Sequence, residues 1–345
     1  MEKVIISVDV MGGDYGPAVT IPAAFQLLAK YSSVQLILVG KQEVLNTAIA
    51  AQGNSELKNR ITVRHASEEV LMDEVPSKAL RNKKDSSMRV AINLVKDGTA
   101  QACVSAGNTG ALVATARFVL KTLPGIDRPA ITTHFPTMVP NKGTNILDLG
   151  ANVDCKADYL CQLAVMGTVL ASVIDNNPNP KVALLNIGSE EIKGNEQIKE
   201  AAQILAANKN INYVGFVEGD ELFKGHIDVV VCDGFIGNVV LKTIEGALKL
   251  VGFYAKRNMM RNIFTKLTTL LALPMLKGLQ RDIDPGKYNG ATLVGLQGVV
   301  IKSHGGANAA AFFHALEKAV IEAEKNVPQK IGDEIVRILK AGAVS

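Results

Sequence analysis

Short aliphatic and β-branched runs alternate along this chain with longer segments of helical periodicity, and that alternation limits its fold more than any other feature. Residues 4–8, 35–39, 100–105, 145–149, 181–187, 211–216 and 227–232 read as strands. Between them, residues 17–30, 90–96, 109–121, 157–174, 195–208 and 235–254 place apolar side chains at helical spacing. This order predicts a three-layer α/β/α fold around a mostly parallel sheet with helices on both faces. A chain of 345 residues, 48% hydrophobic and carrying 30 glycines, is too long for one small module and too apolar to be disordered or fibrous.

Several function classes recede on composition. The formal charge of +4, from 37 basic and 33 acidic residues, is too small an excess to point to nucleic acid. Cys103, Cys155, Cys161 and Cys232 form no CxxC pair and have no histidine at zinc-finger spacing, which fits a reducing compartment and argues against structural zinc. The first residues run straight into a strand-like segment without the apolar region of a signal peptide, so export is not expected. The apolar stretches 160–174 and 267–276 fall short of the ~18 uncharged residues of a spanning helix, so the expectation is a cytoplasmic protein that at most lies on a membrane.

In mostly parallel sheets ligands bind beyond the carboxyl ends of the strands, so the turns there carry the search. The first, Asp9-Val10-Met11-Gly12-Gly13-Asp14-Tyr15-Gly16-Pro17, reads as a wide loop over a site, although its glycines would equally serve a tight turn. The second, Ser105-Ala106-Gly107-Asn108-Thr109-Gly110, offers hydroxyl and amide groups, close-approach glycines and a helix N-terminus. That combination makes an anion cradle, where a plain cap needs one Asn or Ser. Neither GxGxxG nor GxxxxGK[ST] occurs, so the implied ligand is a small oxyanion or a phosphate group. The third, Asp233-Gly234-Phe235-Ile236-Gly237-Asn238, opens a helix with Asn238 either in the same cleft or as a cap. Lys193, in the polar run from Asn186 to Asn195, and His304, after Lys302 and Ser303, could each neutralise an anion or be merely solvated or structural.

No HExxH, GxSxG or Cys-His signature is present, so zinc hydrolysis and a nucleophile elbow are unsupported. A phosphate loop facing amide and cationic donors suits a reaction in which phosphate itself is substrate. Aligning that nucleophile against a carbonyl can supply up to ~7–11 kcal/mol, with Lys193 or Asn238 stabilising the developing oxyanion.

The segments 9–17, 105–111, Asp127-Arg128-Pro129-Ala130, Leu147-Asp148-Leu149-Gly150-Ala151-Asn152-Val153-Asp154, 184–196, 228–242 and 300–305 together closely resemble the bacterial acyl-carrier-protein:phosphate acyltransferases of the PlsX type. The resemblance runs over nearly the whole chain. It implies transfer of a long-chain acyl group from an acyl-carrier-protein thioester to inorganic phosphate, giving acyl phosphate for phosphatidic acid synthesis. It further implies a phosphotransacetylase-like and isocitrate/isopropylmalate-dehydrogenase-like fold, a homodimer, no redox cofactor, no metal, and a downstream glycerol-3-phosphate acyltransferase as a possible partner. Carried over, phosphate lies against Ser105, Gly107, Asn108, Thr109 and Gly110, and Lys193, Asn238 and His304 face the reacting centre. Asp9, Gly12, Gly13, Asp14, Asn152, Asp154, Asn186 and Asp233 complete the cleft. The first lobe is expected to comprise residues 1–150 with 303–345, and the second residues 151–302.

That second lobe should carry a protruding basic tip at about 246–281, where no Asp or Glu occurs and Lys249, Lys256, Arg257, Arg261, Lys266, Lys277 and Arg281 do. Met260, Ile263, Phe264, Leu267, Leu270 and Leu271 follow helical spacing beside Arg257, Arg261 and Lys266, which suits a membrane interface or an acidic carrier protein. Core packing or a dimer contact would use the same pattern. Pro274 should end or kink the helix and leave a second short one. The rivals are a short-chain phosphotransacetylase using coenzyme A thioesters, a dehydrogenase with Asp148, Asp154 and Asp233 on Mg²⁺, and a non-catalytic scaffold.

Overall fold

The computed structural model describes residues 3–283 and 285–342, with the side chains at 280–283, 285 and 338–342 outside the description. The chain enters through β1 (Val4–Asp9), buried at nearly every position because helices cover both of its faces. Then come α1 (Pro17–Lys30), β2 (Val34–Gly40), α2 (Gln42–Ala50), α3 (Ser55–Lys58), β3 (Ile61–His65), α4 (Pro76–Asn82), α5 (Ser87–Lys96), β4 (Ala102–Ser105) and α6 (Thr109–Leu120). The antiparallel pair β5 (Ala130–Pro136) and β6 (Gly143–Leu147) leads to α7 (Ala157–Ile174), β7 (Lys181–Leu185), α8 (Glu196–Ala207), β8 (Asn212–Val217) and β9 (Val229–Val231). The long helices α9 (Gly234–Met259) and α10 (Ile263–Ile283) precede β10 (Ala291–Val294), β11 (Val299–Lys302), α11 (Ala309–Glu324) and α12 (Val327–Gly342).

All strands join one 11-stranded sheet in the order β3-β2-β1-β4-β11-β10-β5-β6-β9-β7-β8. The first five of these strands are mutually parallel, as are the last four. Between the blocks, β10 runs antiparallel to β11 and β5, and β5 antiparallel to β6, so the two blocks run in opposite directions. The expected lobe boundary at 302/303 falls at the end of β11, a strand paired with β4 whose Val299 and Ile301 pack in one cluster with Ile6 and Val8 of β1.

Helices α1 and α11 cover β1 and β2 on one face, while α5 and α6 cover the other. In the second block α7 packs between the sheet, α8 and α12. Each large aliphatic side chain buried there contributes about 1.5–3 kcal/mol. By length and composition α7 could cross a membrane, which exceeds the sequence expectation, but 72% of it is buried inside the fold. A second difference concerns Pro274, which lies inside α10 and does not end it, so Met275, Leu276 and Leu279 continue the same helix and do not form a separate one. Proline removes one N–H donor there, and in an exposed helix water can satisfy the freed carbonyl.

Candidate active site at the strand ends

Three adjacent strands end level with one another, since Asp9 pairs in register with Ser105 and Ser105 with Lys302. Asp9 is buried, its Oδ1 accepting the Ser87 hydroxyl and its Oδ2 the Ser105 hydroxyl, both at 2.6 Å. Burial pushes its carboxyl pKa up, and the two hydroxyls with the N–H groups of Gly12 and Met11 pull it back. Ser105 has one proton, given to Asp9, and its oxygen accepts the Gly107 N–H at 3.0 Å. Its hydroxyl therefore builds the turn and has no donor left for an anion. Asn108 is similarly engaged: Oδ1 caps α6 through the Ala111 N–H, and Nδ2 donates to the carbonyls of Met72 and Glu74. What the turn offers a ligand is the first-turn N–H groups of Asn108, Thr109 and Gly110, which have no partner within the helix, and the exposed Thr109 side chain.

The glycines are there for close approach. A Cβ on Gly12 would sit 2.6 Å from Asp9 Oδ2 and 2.8 Å from the Gly107 nitrogen, and one on Gly110 2.7 Å from Pro76. Gly13, at φ +90°, turns the chain so that the Asp14 N–H donates to the Gly305 carbonyl. The 9–17 loop thus closes on the turn carrying His304. That turn is fixed by Asn289, which accepts the His304 N–H and donates to Ser303 Oγ. His304 Nδ1 accepts from the Gly306 N–H at 3.0 Å, which leaves Nε2 as the donor of the neutral ring. Partial burial lowers its pKa, Glu245 opposes, and Lys242, Lys302 and Lys249 add to the lowering.

Those charges show what faces His304. Asn238, Lys242, Glu245 and Lys249 stand at i, i+4, i+7 and i+11, one stripe of α9. Lys242 pairs with Glu245 at 2.8 Å and also acts on Lys302. Asn238, one turn earlier, lies against Gly150 in the turn after β6. Helix α9 therefore joins the strand ends of the second block to the His304 turn of the first.

The second block gathers the remaining expected residues. Asp148 accepts the N–H groups of Ile131, Gly150, Ala151 and Asn152 as well as Asn152 Nδ2, which leaves little for a Mg²⁺ ion. Asp233 caps α9 through the Ile236 N–H at 2.8 Å. Asp154, Asn195 and Asp233 line a small cavity of about 70 Å³. Asn186 Nδ2 holds the Lys193 carbonyl at 3.2 Å, while the Lys193 side chain is exposed and, among the described residues, makes no hydrogen bond or ion pair. Among the described residues no group of three or more His, Cys, Asp or Glu is placed to hold a metal ion. The thiols are buried and poorly suited to be nucleophiles, Cys155 being pushed up to about 11 and Cys161 to about 12.

Sequence reasoning missed Ser87, Asn289 and the α9 stripe beyond Asn238. The stripe had a signal, since polar residues recur at helical spacing after Asn238; Ser87 and Asn289 had none, because their partners lie 78 and 14 residues away.

At the far end of α9 and along α10 the expected tip residues are exposed, with Ile263, Phe264, Leu267, Leu270 and Leu271 each at least 60% open. Arg257, Arg261 and Lys266 lie in the same segment.

Residues 4–330 match the family model described as "Fatty acid synthesis protein". The chain is 57% identical over 342 residues to a phosphate acyltransferase of Nitrosococcus oceani, covering 99% of both. It is 55% identical over 335 residues to one of Coxiella burnetii, covering 97% of both. The chain belongs to this family of fatty acid synthesis proteins. Among solved structures, a phosphotransacetylase from Streptococcus pyogenes shares its fold, with a TM-score of 0.64, 19% identity and 94% of each chain covered. EutD phosphotransacetylase from Staphylococcus aureus follows at a TM-score of 0.58 and 18% identity, with 93% of this chain and 94% of that one covered.

Proposed function

We propose that this protein is an enzyme transferring a long-chain fatty acyl group from an acyl-carrier-protein thioester to inorganic phosphate. The observation that carries the reading is the free first turn of α6, closed in by the Asp9 loop and His304, in a chain 57% identical to a phosphate acyltransferase. Phosphate docks on the N–H groups of Asn108, Thr109 and Gly110 with help from Thr109. One of its oxygens attacks the thioester carbonyl carbon, the resulting oxyanion is held by Asn238 or the His304 Nε2–H, and Lys193 offsets the accumulated charge. Collapse breaks the carbon–sulfur bond, and the proton that phosphate gives up goes to the departing thiolate. Products are acyl phosphate and the free carrier thiol, the former being consumed by an acyltransferase that forms phospholipid precursors. No cofactor is required for this balance.

The basic, apolar-tipped α9–α10 projection supports peripheral association with the inner face of the cell membrane, where a long acyl product is used, by an enzyme that acts as a homodimer. A second reading, a short-chain phosphotransacetylase using acyl-coenzyme A, draws on the fold shared with phosphotransacetylases. Measuring acyl phosphate formation with carrier-linked and coenzyme-A-linked donors of several lengths separates the two. Carrier-linked long chains should turn over fastest; exclusive use of short coenzyme A esters would select the second, and no phosphate-dependent thiol release from either rejects both. Lys193→Ala should lower kcat by about 10²-fold or more without lowering the unfolding midpoint.

A further inference from the structure

Lys302 has no task in the chemistry above, yet it is only 8% exposed, and lysine is rarely buried without a partner. It is the last residue of β11, level with Ser105 on the neighbouring strand, which is in turn level with Asp9 on the next. Its Nζ donates to the carbonyl of Ala106, at 3.2 Å, and to that of Ser303. Ala106 opens the turn that ends at α6, and Ser303 precedes His304. One ammonium thus bridges the two turns that frame the anion cradle. The charged groups facing it are Asp9 from β1, Asp14 from the 9–17 loop, Lys242 from α9 and His304 from its own turn. A methionine would fill the space but leave the Ala106 carbonyl without this donor and Asp9 without a counter-charge.

We propose that Lys302 is a positioning residue for phosphate: it ties the turn after β4 to the turn after β11 and places beneath the α6 N-terminus the positive charge that balances Asp9 and draws in the phosphate dianion. This rests on the phosphate-acceptor reading above, and the experiment separates the two failures. If the wild-type enzyme makes no acyl phosphate, that reading fails. Given wild-type turnover, Lys302→Met should raise the KM for phosphate about tenfold or more while the KM for the acyl donor stays within about twofold, and Lys302→Arg should restore most of the loss. An unchanged phosphate KM, or equal rises for both substrates, overturns the role of Lys302 alone.

A measurement on the wild type covers the case in which Lys302→Met does not fold. Burial lowers the Lys302 pKa to about 8, against the pull of Asp9 and Asp14. Phosphate is mainly the dianion at about pH 7.5 and wholly so at about pH 9.5, a change that by itself would raise affinity, yet calorimetric affinity should fall about fivefold or more between them as Lys302 loses its proton. Equal affinity at both values overturns the proposal.

Discussion

A carboxylate as deep as Asp9 persists because hydroxyl and amide donors surround it, and the Ser105 hydroxyl is at the centre of that arrangement. Ser105→Ala removes one donor to Asp9, which keeps Ser87 and the Gly12 and Met11 N–H groups, and leaves the buried Gly107 N–H without its acceptor. The expected cost is about 2–4 kcal/mol in urea unfolding; a Ser105 that only touched phosphate would cost affinity and no stability. Lys302 adds a pH dependence whose sign follows from its lowered pKa. Between about 8 and the ordinary 10.5 the unfolded chain holds a proton that the folded chain has released, so stability rises with pH across that window. Relative to Lys302→Met, the wild type should gain up to about 3 kcal/mol from about pH 8 to about pH 10.5, read from paired urea titrations. At this scale the sequence was informative about position and less about role. Asp9, Gly12 and Ser105 stand out as polar or glycine residues at strand ends, but hydrogen bonds decide which atoms remain for a ligand. Those bonds join residues up to 96 apart.

Helix α6 owes its place in the site to Asn108, which caps it and pins the preceding turn to the 72–74 segment. Asn108→Ala should destabilise by about 1–3 kcal/mol, combining a lost cap with two unpaired carbonyls. It should also raise the phosphate KM, because the N–H groups that bind the anion lose their fixed direction. A rise in phosphate KM without loss of stability would assign Asn108 to direct contact instead. Legibility followed the strength of the local pattern more than the element type: residues 157–174 read as helical from periodicity and form α7 with the same bounds, whereas the short helices α2 and α4 went unread. Strands β3, β5 and β10 escaped, β3 and β10 because four or five residues such as Ala291–Val294 carry too little pattern to outweigh their surroundings, and β5 because its centre, Thr132-Thr133-His134, is polar. Helix α9 runs through Met259, past the expected end at 254, because no glycine cap or proline stops it there.

For the whole molecule, the reversal of direction between the two parallel blocks was invisible in the sequence. It depends on β10 and β5 standing antiparallel to their neighbours between the blocks, with β11, formed by residues 299–302, inserted beside β4, formed by residues 102–105, and no local pattern specifies pairings over that separation. The reversal matters because it leaves α9 to span from the turn after β6 to His304 and then continue, with α10, away from the sheet. Only Gly234 and Gly237 of α9 are buried, so this projection is held by its base. Its apolar residues contribute little to folding in the single chain, and its cations have no acids nearby in sequence from 246 to 281. Each cation near an anionic lipid surface contributes about 1 kcal/mol, and the attraction is screened by salt. Leu270→Ser combined with Leu271→Ser should therefore leave the unfolding midpoint unchanged while abolishing flotation with anionic vesicles at low salt. The wild type should float under those conditions and be released by high salt. If the wild type stays with the unbound fraction on anionic vesicles at low salt, the membrane role of the projection is rejected, and its exposed leucines belong to a protein partner.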